Sequence, residues 1–284
     1  MREIRRRKDS IAGTRQITKA MKLVATVKLQ KARKKAEESR PYTIFVRQVV
    51  QSILAASSEL DSPWLRKGKG DRLAVIAITS NRGLAGGYNV NLVRKLTESG
   101  LPKDKVSVYA VGRKGRDALA RQGYAVAGDY SEVINEPLYR DAMELGNRVL
   151  KEYGDGSLEA IYLLYTSFQN TVSHVPVLLR LLPVKEKPEK KADEIPVPMN
   201  YEPDEEAVLD RLIPAYVTNQ IYGAFLESLA SENGARMAAM DASTANAEEM
   251  MERLDLLYNR ARQGTITQEL TEIMAGAEAV QWKK

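Results

Sequence analysis

Few residues of this 284-residue chain could do chemistry, and their spacing argues against most of what they suggest. Gly83, Gly86 and Gly87 follow an apolar run, where a glycine-rich loop would cradle phosphate in a nucleotide-binding fold. Their spacing is G-x-x-G-G, whereas the dinucleotide fingerprint is G-x-G-x-x-G, and the lysine of a P-loop does not follow. A tight turn needing positive φ is the expected reading. His174 is the only histidine and cysteine is absent, which excludes disulfides, thiolate metal sites and cysteine nucleophiles. His174 reads as structural, and no catalytic, metal or cofactor site is expected.

The elements that would carry these residues fall into three segments. From Arg2 to about Ser58 glycine occurs only at Gly13 and proline only at Pro41, while Ile11, Ile17, Met21, Val24 and Val27 recur at helical intervals. This predicts a helix with one buried apolar stripe, and 57 residues would span roughly 85 Å, a length that implies a coiled coil. After a charged, turn-rich linker, strands are expected at 73–80, 106–112, 160–168 and 175–184, with helices at 90–98 and 115–123. Strands alternating with helices point to an α/β domain with a largely parallel sheet. Helical character returns at Asp204 and continues to the end, with a stripe through Leu209, Ile213, Tyr216, Val217, Ile221 and Phe225, then Ala238, Ala242, Ala245, Met250, Leu254 and Leu257. Four glycines inside that helix each cost about 1 kcal/mol relative to alanine, so packing must hold it.

The expected fold is therefore α/β plus a long antiparallel α-helical coiled coil. Helices at 1–58 and 204–284 bracket a Rossmann-like domain at 70–200. Folded back on each other, they bring residue 2 near residue 260, and the final turns project as a lone helix with much apolar surface. Such a tip calls for a sleeve made by another protein. The start of the chain is basic without an apolar core, so no secretory signal is expected, and no run suits a membrane span.

Charge is uneven. Residues 1–35 hold thirteen Lys or Arg against Glu3 and Asp9, a net of +11, so the other 249 residues carry −5 of the chain's +6. A dense cationic end wants an anionic partner. A basic coiled-coil nucleic-acid-binding protein is the alternative reading, opposed by the lack of any aromatic residue there for base stacking.

ARMAAMDASTANAEEMMERLDLLYNRARQGTITQELTEIMAGAEA (235–279) closely resembles the C-terminal signature of F-type ATP synthase gamma subunits. IAGTRQITKAMKLVATVKLQKAR (11–33) resembles that family's opening helix, NRGLAGGYN (81–89) its glycine-rich turn, and YEPD (201–204) the start of its last helix. Ala85 stands where many relatives have cysteine, and Gly264 where alanine is common. The resemblance implies a central rotor shaft, not itself catalytic, lying along the axis of a hexamer of alpha and beta subunits. Its base would rest on the c-subunit ring with the epsilon subunit alongside. Nucleic acid would not be a partner, and membrane contact, on the cytoplasmic face of a bacterial cell membrane, would come only through the complex.

Residue by residue, Met21 with Lys19 and Lys22 matches the family's contact with acidic loops of the beta subunits; on pattern alone it is a core methionine between solvated lysines. Arg236, Gln263, Thr267 and Glu269 match further beta-subunit contacts, where the plain alternative is the polar face of a soluble helix. Tyr201, Glu202 and Lys31 match the foot near the c ring, where the plain alternative is ordinary linker packing.

Overall fold

In the computed structural model, which describes residues 1–56, 62–171, 173–184, 202 and 204–281, two helices bracket an α/β segment. The helices are α1 (Arg2–Ala56) and α5 (Glu205–Gln281). Between them follow β1 (Arg72–Ile78), α2 (Tyr88–Thr97), β2 (Val106–Val111), α3 (Arg113–Arg121), β3 (Ala125–Asp129), α4 (Tyr139–Gly154), β4 (Leu158–Phe168) and β5 (His174–Leu182). Two compact units result: Ala25–Arg236, and Met1–Val24 with Met237–Lys284.

The unit Ala25–Arg236 is built on a sheet of order β3-β2-β1-β4-β5, parallel except for the antiparallel β4–β5 pair. β1 is buried along nearly its whole length because both faces are covered, which explains its unbroken apolar run. Alternate residues feed two cores. Ala74, Ile76 and Ile78 join residues of α1, α4 and α5 on one face, whereas Leu73, Val75 and Ala77 join residues of α2 and α3 on the other. Helix α5 is part of the first core: Leu209, Ile213, Val217, Ile221 and Phe225 are fully buried, and Ser231, Glu232, Asn233 and Gly234 are buried as well. A helix covered on nearly all sides is a core helix. It also runs through Pro214, and α1 through Pro41.

Two elements lie outside those expected from sequence. β3, AVAGD, is an edge strand whose residues are mostly exposed, so it carries no apolar alternation. α4 does carry the helical period, in Ala142, Leu145, Gly146, Val149, Leu150 and Tyr153. Close approach sets the glycines at the start of α3: a Cβ at Gly112, just before the helix, would stand 2.2 Å from the Thr79 carbonyl oxygen, and one at Gly115 2.4 Å from Thr79 Cγ2. Gly112 also has φ +125°, a region that L side chains rarely adopt.

In the unit of Met1–Val24 with Met237–Lys284, the helix stretches run antiparallel. Lys8 pairs with Asp255, Arg15 with Glu248 and Lys22 with Asp241, at 2.5, 3.9 and 2.5 Å, each step moving seven residues along both helices. Between them Thr18 and Thr244 hydroxyls meet at 2.8 Å. On α1 the less exposed positions are Ile4, Lys8, Ile11, Arg15, Thr18 and Lys22, spaced four and three; on α5 they are Met240, Thr244, Ala247, Met251, Leu254, Tyr258, Ala261 and Thr265. This is a heptad seam, the 3.5-residue repeat of a coiled coil.

The seam corrects the apolar stripes expected from sequence. Ile17 and Val24, assigned there to a buried face, are 62 % and 57 % exposed, and Ala238, Ala242, Ala245, Met250 and Leu257 of α5 are exposed too. The physical reason is that Lys, Arg, Thr and Ala share the seam with Ile4, Ile11, Met240, Met251, Leu254 and Tyr258, and the stems of the basic residues pack while their charged ends reach acids at its rim.

Two outcomes are expected. Gly112→Ala should lower unfolding stability in urea by about 3 kcal/mol or more, and a loss below about 1 kcal/mol would contradict the approach to Thr79. Lys8→Glu or Asp255→Lys alone should weaken the helix pair by about 1 kcal/mol or less, with most of the loss recovered when both are exchanged. A double variant as weak as the sum of the two singles would refute this register.

Candidate functional site

In doubly wound sheets ligands bind beyond the carboxyl ends of the strands, where the strand order reverses. Here that point lies between β1 and β4, and α5 occupies it. The Thr166 amide donates to Ser228 Oγ at 3.4 Å, Ser231 Oγ donates to the Thr166 carbonyl at 3.3 Å, and the Tyr88 hydroxyl donates to the Ser228 carbonyl at 3.3 Å. The Phe168 amide reaches Glu227 Oε2 at 3.3 Å. Burial drives the Tyr88 hydroxyl far above its ordinary range, which keeps it a neutral donor.

The glycine turn beside this point is a turn in its own backbone: Leu84 and Gly86 have φ of 62° and 53°. Ser80 Oγ donates to the Arg82 carbonyl, Asn89 Oδ1 accepts from the Ser80 amide, and Asn81 Nδ2 donates to the Ser131 carbonyl. Among the described residues no group of three His, Asp or Glu is placed to hold a metal ion.

His174 opens β5 opposite Phe168, their ring centroids 6.0 Å apart. A Cβ at Gly234 of α5 would come within 2.8 Å of His174 Cε1, so this glycine lets the helix pass over the ring. Neither ring nitrogen makes a well-formed hydrogen bond among the described residues, although the Thr171 backbone lies near enough to oppose part of the effect of burial. Burial pushes the imidazole pKa below its usual value.

The residues singled out for partner contact fall into distinct settings. Met21 is half-buried beside the seam, Lys19 is exposed, and Lys22 is paired with Asp241. Gln263, Thr267 and Glu269 are all exposed on α5, and Thr267 Oγ1 donates to the Gln263 carbonyl at 2.9 Å. Gln263, Ile266, Thr267, Leu270 and Met274 share one helical face, and every described side chain from Ile266 to Gly276 is exposed. Leu270 and Met274 are 56 % and 72 % exposed. Lys31 is exposed with Glu136 at 3.6 Å, and Glu202 is exposed, whereas Tyr201 lies outside the described residues.

Arg236 differs from the others. Its side chain is only 13 % exposed, pairs with Glu232 at 2.7 Å, and directs Nη2 toward the Gly83 carbonyl at 3.4 Å. Sequence reasoning missed the exposed apolar residues of α1 as a surface feature, because it assigned Ile17, Val24 and Val27 to the buried stripe and did not weigh Leu23. The basic start of the chain also finds acids of its own. Arg7 pairs with Glu3, Arg33 with Glu37, Lys34 with Glu38, and the three seam cations with α5, so much of the cationic end is already neutralised within the chain.

The family model described as ATP synthase matches residues 1–280. The chain is 54 % identical over 288 aligned positions to the ATP synthase gamma chain of Lachnoclostridium phytofermentans, covering 99 % of each chain. It is 42 % identical to the ATP synthase gamma chain of Heliobacterium modesticaldum, again over 99 % of each. Its fold resembles a chain of the Euglena gracilis mitochondrial ATP synthase (OSCP/F1/c-ring) with a TM-score of 0.69 at 21 % identity, covering 98 % of this chain and 94 % of that one. A chain of the Tetrahymena thermophila mitochondrial central stalk and c ring aligns with a TM-score of 0.60 at 22 % identity, over 80 % of this chain and 98 % of that one.

The buried imidazole gives a direct test of the α5 contact. An unfolded histidine titrates near 6.5 and this one lower, so stability should hold above about pH 6.5 and fall as pH drops through the folded-state value. His174→Gln should remove that part of the acid slope. As His174 is the only histidine, its ring signals in NMR report the pKa without overlap, and a value above 6.5 would refute the buried neutral ring.

Proposed function

The chain belongs to the ATP synthase gamma-chain family, and from that premise we propose that it is the central-stalk rotor subunit of an F-type ATP synthase. In this role it couples ion-driven rotation of a c-subunit ring to the cycling of catalytic sites on beta subunits. It makes and breaks no bonds itself. Its partners are the alpha and beta subunits of a catalytic hexamer, an epsilon subunit and the c ring, and the coupling ion is a proton or sodium. No described helix is long and apolar enough to cross a membrane, and the membrane is reached through the complex, on the cytoplasmic face of a bacterial cell.

The observation that carries the reading is the change of surroundings along α5. The register of the seam sets Arg2 of α1 opposite residue 261, and from Ile266 onward no described side chain of α5 is covered. Ile266, Leu270, Ile273 and Met274 are large apolar residues left in the open within about two turns of one helix, a clustering that marks an interaction surface. A collar of other subunits around this tip is the cover we infer. Met21, Lys22, Gln263, Thr267 and Glu269 are proposed to face the beta subunits there and along the seam. Lys31, Tyr201 and Glu202 are proposed to lie near the c ring.

Removing residues 261–284 should leave the thermal unfolding of the α/β unit within about 1 kcal/mol of the full chain, because no described side chain among them joins its cores. The same truncation should lower the recovery of the chain with the alpha and beta subunits and reduce coupled ATP synthesis in membrane vesicles. Unchanged assembly and coupling would sink the collar reading. The full chain should be found once per complex when the ATPase is purified.

A further inference from the structure

We propose that Glu232 and Arg236 form a latch that fastens the Asn81–Gly87 turn to α5, with Glu232 as the positioning residue that aims the Arg236 guanidinium at the Gly83 carbonyl. This gives Arg236 a task inside the chain, in place of a sliding contact with another subunit.

The turn is the feature that needs fastening. Leu84 is a non-glycine residue at φ 62°, a conformation that costs energy and persists only where the surroundings over-determine it. One side of the turn is held by Asn81, whose Nδ2 donates to the Ser131 carbonyl at 2.6 Å and whose Oδ1 accepts from the Arg113 amide at 3.0 Å. The other side faces α5, and Arg236 reaches it. A lone arginine side chain would hold a 3.4 Å contact poorly, because its long stem has many rotamers. Glu232, one helical turn earlier, removes that freedom with a 2.7 Å charge-assisted hydrogen bond, and both side chains are almost fully covered at 11 % and 13 % exposure.

The latch adds to the directional contacts that Ser228, Ser231 and Glu227 make with β4. Hydrophobic contact between α5 and the sheet is strong but non-directional, so it resists separation more than slippage of the helix in its groove. A directional polar contact at the end of the groove opposes that slippage.

Glu232 is surrounded by Arg236 on its own helix, Lys28 of α1, Arg82 of the turn and Tyr88 of α2. Burial is the largest influence and raises its pKa, while the three cations oppose it. Mild acid should therefore neutralise Glu232 before an ordinary surface glutamate, freeing Arg236 and loosening the turn.

The test is hydrogen exchange, read by mass spectrometry over residues 81–89 in the assembled ATPase carrying the full chain. Arg236→Ala and Glu232→Gln should each lower protection of the turn about tenfold, the size of one hydrogen bond to a charged group, and the double variant should be no worse than either single. Arg236→Lys, which keeps the charge, should recover part of the protection and serves if the alanine variant assembles poorly. In the unaltered chain, protection corrected for intrinsic exchange should fall with acid earlier than in Glu232→Gln, where that step should vanish. Unchanged exchange of the turn in Arg236→Ala and Arg236→Lys, or additive losses in the double variant, would overturn the latch. So would Arg236 variants that weaken binding to the alpha and beta subunits while leaving the turn protected.

Discussion

Burial of α5 between Leu209 and Gly234 is the interaction on which the other features depend. Each fully covered large apolar side chain in that stretch is worth about 1.5–3 kcal/mol, whereas each exposed ion pair elsewhere contributes about 0–1 kcal/mol. The helix is therefore anchored by Ile213, Val217, Ile221 and Phe225, and its polar contacts refine what that anchoring permits. The same burial decides the fate of the sheet's switch point. A crevice that would lie open in a nucleotide-binding relative of this topology is filled by Ser228, Ser231 and Glu227, bonded to the ends of β4. A fold suited to holding a ligand holds a helix instead.

The antiparallel seam works by a different balance. Lys8, Arg15 and Lys22 occupy positions that an ordinary coiled coil gives to Leu or Ile, so stability is given up for orientation. The three pairs by themselves do not exclude a slip of one heptad, since two of them would survive it in either direction. Thr18 and Thr244 do exclude it. After such a slip Thr18 would face Met237 or Met251, and its hydroxyl would exchange a 2.8 Å partner for a thioether. In one direction Lys8 would also meet Arg262. Small polar residues and one like-charge clash thus specify a register that weak ion pairs only favour.

This balance also explains which parts of the architecture were legible in the sequence. β1 and β2 are buried on both faces and read as plain apolar runs, and the buried part of α5 steps by three and four through large residues. β3 was hidden because an exposed edge strand of Ala, Val, Gly and Asp has no pattern to display. The stripe on α1 is only partly the seam for a subtler reason: Ile11 lies on it, but it continues through Arg15, Thr18 and Lys22, and Ile17, Val24 and Val27 face outward. Period survived where composition misled, since the true seam keeps the four-three rhythm. The glycine turn was legible from spacing, whereas the helix beside the neighbouring strand ends, and the reach of Arg236 to Gly83, depend on contacts between residues some 60 to 150 positions apart.

The outward residues of the tip have a further physical character. Thr265, Thr267 and Thr271 each donate their hydroxyl to the carbonyl four residues earlier, so none points an unsatisfied donor outward. Gln268 is likewise spent on Glu272. Beside the exposed Gln263 and Glu269, the apolar part of the tip is Ile266, Leu270, Ile273 and Met274, whose attraction to a surrounding surface is shallow in angle because dispersion and apolar burial have no preferred direction. A helix that must stay seated while turning needs such a surface: enough apolar area to be held, and few directional bonds that would have to break at each step. Satisfying its hydroxyls internally is how this sequence keeps polar residues on the tip without turning them into catches.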